Sequence, residues 1–242
     1  MNIQDENRDS TPTMGIKDKY LEQLQSDFQL LSEIVLTQIS LTSTLLHDNL
    51  REDIFHELSR NEKIINSLDI TIKEKVINAI MFFTPRASDL RRLMAYHDMT
   101  ISMERVGDLI ENISGLLQEI DFSLNGFEHY KKLLDKMFVQ TDKMLKHAVF
   151  SFAGQDNEMA YETIQMDDKV DKLDRKIGRK LAEEFGNEVH SPQALLNIMN
   201  INSISYFLER IGDKAVAVAE SAVYLIEGKD IRHTNVPKET PL

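Results

Sequence analysis

The stretch Leu208-Glu209-Arg210-Ile211-Gly212-Asp213 repeats, 105 residues downstream, the pattern of Met103-Glu104-Arg105-Val106-Gly107-Asp108. Each copy sets a Glu and an Asp at positions i and i+4, one turn apart on the same side of a helix. The same offset carries Glu62, Ile65, Asn66, Leu68 and Asp69 onto Asp167, Val170, Asp171, Leu173 and Asp174. No net insertion separates the two motif pairs, so the chain reads as an internal duplication.

Around the first motif Tyr96, Met99, Met103, Val106, Ile110, Ile113 and Leu117 alternate steps of three and four, the seam of a helix that buries one stripe. Ile201, Ile204, Leu208, Ile211, Ala215, Val218 and Ala222 repeat that seam. Upstream, Leu21 to Thr42 and Ile65 to Phe83 carry similar stripes. The spacing predicts helices over about 17–47, 51–83, 84–117, 127–152, 157–186 and 191–228. Thr84-Pro85 and Ser191-Pro192 look like helix starts, and Asp156 or Asn157 like a cap. Three long helices per half, joined by short connections, predict an all-α fold of two tandem antiparallel three-helix bundles. The divisions are a disordered leader over 1–16, bundles over 17–122 and 123–230, and a tail over 231–242.

A turn of 100° per residue from the seam places Glu104 and Asp108 toward the outside of the bundle, and Glu62, Asn66 and Asp69 on the flank of the preceding helix. The hairpin turns near Thr84 and Gly186 bring the acid pairs of adjoining helices level. Two pairs of oxygen donors then face each other in a surface groove, twice. One such pair alone is an ordinary solvated face; its duplication in register points to divalent cations, because clustered carboxylates otherwise raise their own pKa values. Gly107 and Gly212 stand in helix interiors at a cost of about 1 kcal/mol each relative to Ala. Close approach of a neighbouring helix and room for ions explain them equally well.

Composition narrows the chemistry. There are 40 acidic residues against 28 Lys and Arg, a formal charge of −12, and no basic patch is visible to attract nucleic acid. The absence of Cys excludes thiolate catalysis and thiolate metal sites. No apolar run is long enough to cross a bilayer and no signal segment is apparent, so a cytoplasmic location is expected.

The run Pro85-Arg86-Ala87-Ser88-Asp89-Leu90-Arg91, the two acidic motifs and the closing Gly228-Lys229-Asp230-Ile231-Arg232-His233 resemble the PhoU family of bacterial phosphate-uptake regulators. The likeness spans roughly Lys17 to His233. It implies one metal site at Glu62, Asn66, Glu104 and Asp108 and another at Asp167, Asp171, Glu209 and Asp213, taking iron, zinc, manganese or magnesium. Asn66 stands where the second half has Asp171, so the first site carries less charge. The resemblance further implies a non-enzymatic negative regulator of phosphate homeostasis. It would act through a phosphate sensor histidine kinase and the ATPase of the phosphate ABC transporter, and a homodimer is compatible with it. His97 is expected to be solvated, and Asp69 and Asp174 border the sites. Asp89 and Arg91 read as a helix-start carboxylate and a solvated Arg.

The rival readings have less support. A carboxylate-bridged di-iron oxidase needs inward Glu-x-x-His motifs, and the chain offers only Asp53-Ile54-Phe55-His56. A hydrolase lacks a nucleophile paired with a base. A metal-free scaffold, or an accessory subunit of another phosphate transporter, keeps the same fold.

Overall fold

The computed structural model describes residues 15–48, 50–187 and 191–232. Residues 1–14 of the expected leader and most of the tail, His233 included, lie outside them, while Ile16, assigned to the leader, opens the first helix. Among the described residues the regular structure is entirely helical: α1 (Ile16–Thr44), α2 (Glu52–Phe83), α3 (Ala87–Gln118), α4 (Glu128–Gly154), α5 (Asn157–Phe185) and α6 (Pro192–Glu227). None of these helices is long and apolar enough to cross a membrane.

Local chemistry sets the boundaries. Asp156 caps α5 by accepting from Met159 N at 3.0 Å, and Ser191 caps α6 by accepting from Ala194 N at 3.1 Å, with Pro192 in the first turn. Gly228 closes α6 at φ +70°, where a Cβ would be strained. The turn between α2 and α3 corrects the sequence reading. Thr84 does not open α3; it ends α2 in the left-handed region at φ 44°, and α3 begins at Ala87. Pro85 disfavours the right-handed helical conformation at the residue before it, so Thr84 must leave the helix there. Helix α1 likewise stops at Thr44, short of the expected His47, while Leu45 and Leu46 stay buried beyond it.

Helices α1 to α3 pack together, as do α4 to α6, and the two bundles share one core. Their main junction is the α3–α6 contact, more extensive than any pairing within the first bundle. The two helices run antiparallel, since the start of α6 lies on the end of α3. Asn197 donates to Asp121 O at 2.8 Å and accepts from Asp121 N at 3.0 Å, and Gln193 donates to Glu119 O at 2.9 Å. These side chains satisfy backbone groups where α3 runs out of intrahelical partners. Phe28 of α1, Tyr96 of α3 and Phe152 of α4 meet edge to face, with centroids 5.1 to 5.6 Å apart, and tie the bundles together at another point.

Helix α3 is therefore flanked twice, by α2 and by α6, and small residues such as Ala95, Ser102 and Gly107 are buried beside its large ones. That double flanking decides where the acids go.

Candidate metal-binding acidic sites

In the first half the acids do not line an open groove. Glu62 is buried at 6 % exposure and Asp69 at 9 %, Glu104 and Asp108 are half-buried, and Asn66 is exposed. The flank position expected for Glu62 and Asp69 is thus corrected to burial, and the outward position expected for Glu104 and Asp108 is softened. The physical reason is the packing of α2 against a helix already covered on its other flank, which draws the α2 acids inward.

Gly107 makes this possible. A Cβ there would stand 3.0 Å from Glu62 Oε2 and 3.3 Å from two carbons of Ile65. The space over the glycine is taken by the facing carboxylate. Gly212 repeats the device less tightly, with Asp167 Oδ1 at 3.3 Å and Met144 Cε at 3.7 Å from its notional Cβ. Of the two reasons entertained for these glycines, close approach is the one visible, and what approaches is a metal-type donor.

Burial pushes the Glu62 carboxyl up to about 7, and the charges of Glu111 and Asp108 add to that, while Asn66 and Gln38 partly offset it. Both Glu62 oxygens are shut from solvent with no hydrogen-bond partner in good geometry. Glu104 is raised by burial, then by Asp108 and Asp69, against the opposing Arg105 and Lys73. Arg105 donates to Asp108 at 2.9 Å, and Lys73 holds Asp69 at 2.7 Å. In the second half Glu209 is raised to about 7 by burial, then by Asp213, Asp171 and Asp174, with Arg210 opposing. Its Oε2 is also buried without a partner. Asp213 is raised by burial, against Arg210, with Asp171 raising it further. Asp174 accepts from Ser205 at 2.8 Å, and Arg175 reaches Asp171 at 3.3 Å.

The structure therefore brings Glu62, Glu104, Asp108 and Asp69 into mutual electrostatic range on α2 and α3. It does the same for Asp171, Asp174, Glu209 and Asp213 on α5 and α6. Asp167 joins through Gly212, and Asn66 sits at the outer margin. Among the described residues, no three acids or imidazoles converge to metal-shell spacing. Lys73, Arg105, Arg175 and Arg210 pair with Asp69, Asp108, Asp171 and Asp213. The donor set still fits a hard cation: carboxylate oxygens, several of them buried and unsatisfied, whose charge a divalent ion would neutralise.

Sequence reasoning missed Glu111 and Gln38, both felt by Glu62. Glu111 lies two turns beyond Glu104, a signal on the page; Gln38 belongs to α1 and needed the fold. His97 stays apart from the acids and pairs with Asp98 at 3.3 Å. Asp89 and Arg91 are less solvated than expected: Asp89 pairs with Lys17, and the Arg91 guanidinium lies 3.4 Å from where a Gly228 Cβ would stand, at the negative end of α6.

Comparison with known proteins matches the PhoU domain to residues 28–117 and again to 134–222, one copy per bundle. The chain belongs to the PhoU family. Among PhoU relatives, the phosphate-specific transport system accessory protein PhoU homolog 1 of Thermotoga maritima is 28 % identical over 216 residues, covering 86 % of this chain and 90 % of that protein. The accessory protein PhoU of Escherichia coli is also 28 % identical, over 88 % of this chain and 86 % of its own length. The crystal structure of PhoU from Pseudomonas aeruginosa superposes with a TM-score of 0.78 at 25 % identity, covering 87 % of this chain and 99 % of that one. The PhoU regulatory protein of Streptococcus pneumoniae has the same fold, with a TM-score of 0.77 at 20 % identity over 88 % and 98 % of the two chains.

Proposed function

We propose that this chain is a cytoplasmic, non-enzymatic regulator of phosphate-specific transport that holds divalent or iron-type cations at two acidic sites. Glu62, Asn66, Glu104 and Asp108 would hold one, and Asp167, Asp171, Glu209 and Asp213 the other. It represses the phosphate-starvation response through a sensor histidine kinase and acts on the transporter's ATPase subunit. The observation that carries the reading is a carboxylate oxygen shut from solvent without a partner in each half, on Glu62 of α2 and on Glu209 of α6, each among further acids, with a glycine making room for a facing acid. Its phosphate connection is supported by its relatives, which are accessory proteins of phosphate-specific transport systems.

A bound cation supplies positive charge where Glu62 and Glu209 otherwise retain protons near neutral pH. Arg105, Lys73, Arg175 and Arg210 hold the neighbouring acids and must give way as the donors converge. Metal content of protein purified without chelator tests the first part. Deleting the gene and assaying phosphatase expression in high phosphate tests the second. Unchanged repression defeats the regulatory reading, and a metal-free protein that still complements the deletion leaves a scaffold role instead.

A further inference from the structure

The reading of the sequence found no basic patch, and the fold overturns that expectation. Lys169, Lys172, Lys176 and Arg179 recur at steps of three and four, so one face of α5 collects them over about 15 Å. Lys136 of α4 joins them beside a shallow trough where Val139 stands 64 % exposed. These five cations form no ion pair among the described residues; the nearby Arg175 and Lys180 are held by Asp171 and Glu184. Asp135 and Glu183 are the acids lining the same surface.

The duplication serves as an internal control. At the equivalent places 105 residues earlier α2 carries Ile64, Ser67, Thr71 and Glu74. The two halves preserve their seams and acid pairs yet differ on this outer face, so the charge is not a by-product of the fold.

We propose that the outer face of α5, with Lys136 and Val139 of α4, is a docking surface for an anionic lipid bilayer. The cations line two shallow, open troughs along α5 rather than a closed pocket around a single anion. Four of the five are lysines, point charges suited to a field of headgroups more than to bidentate recognition of one phosphate. Val139 among them offers an apolar contact at the depth where lysine stems lie along a membrane surface. The remaining surface of a chain with net charge −12 is repelled by the same bilayer, which fixes α5 toward it and orients the molecule. This surface is separate from the acidic sites and does not depend on their holding metal.

Flotation of the full chain with vesicles tests it, comparing phosphatidylcholine alone with phosphatidylcholine plus phosphatidylglycerol. The expected result is binding to the anionic vesicles only, weakened by salt. Lys172→Glu with Lys176→Glu should reduce it at least twenty-fold, from about fivefold per lysine removed. Lys19→Glu with Lys63→Glu, an equal charge change elsewhere, should retain most of it. The milder pair K172Q and K176Q, with helix content checked by circular dichroism, covers any folding defect in the reversal variant. Equal binding to both vesicles, equal loss in both reversal pairs, or capture of inorganic polyphosphate or an acidic peptide by these lysines without vesicle binding would overturn the proposal.

Discussion

Replacing Glu62 by Gln should stabilise the metal-free protein at alkaline pH, although it alters a residue assigned to binding. The Glu62 carboxyl is raised from the ordinary 4.5 to about 7, first by burial and then by Glu111 and Asp108. A raised acid binds its proton more tightly in the folded chain than in the unfolded one. Its contribution to stability is complete below the unfolded value, falls as pH climbs from about 4.5 to about 7, and becomes a constant penalty above that. The shift corresponds to a penalty on the order of 3 kcal/mol at pH 8. Gln keeps the shape without the charge. Urea unfolding with chelator present, followed by circular dichroism from pH 4 to pH 8, should show the wild type losing that amount relative to E62Q. The two should converge at the acid end. Other raised groups titrate in both proteins and cancel in the difference. An E62Q variant that is less stable than wild type at pH 8, or that has the same pH slope, would refute the burial argument.

In the second half, Glu209→Ala with Asp213→Ala should abolish metal uptake at that site while leaving helix content nearly intact, as elemental analysis and circular dichroism will show; a collapsed protein or full metal content counts against it. Cation affinity should rise with pH through about 7, because Glu62 and Glu209 must lose protons before they bind; titration calorimetry in buffers of different ionisation enthalpy should detect the released protons. Gly107→Ala should cost more stability than Gly212→Ala despite the same gain of about 1 kcal/mol in helix propensity, since its Cβ meets Glu62 Oε2 at 3.0 Å against 3.3 Å to Asp167; thermal melts of both variants settle the order. Asn197→Ala should destabilise by about 1 to 3 kcal/mol by stranding the backbone groups of Asp121, read from denaturant midpoints.

The helices and their pairing were legible because a stripe every three or four residues has one reading when it persists for thirty, and because the copy at 105 residues confirmed it. The acid sites were legible as a set of residues but not as surroundings. A helical projection assumes one buried stripe per helix. Helix α3 breaks that assumption by packing on α1, α2 and α6, so directions that looked outward from its seam meet α2 instead. Glu62 looked like a flank residue for the same reason, and Gln38, from a third helix, carries no local signal at all. The basic face was hidden differently. Its lysines recur at helical spacing between Val170, Leu173 and Ile177, and only folding brings Lys136 of α4 beside them.

The α3–α6 contact changes what the duplication means. Neither half covers its own third helix, so each alone would expose a flank of apolar and small residues that the other now buries. The arrangement is closer to a dimer whose two subunits have become one chain than to beads on a string. The linker over 119–127 adds to that contact through Glu119 and Asp121, held by Gln193 and Asn197, and otherwise sets the local concentration of the partners. Cleaved there, the two pieces should stay together.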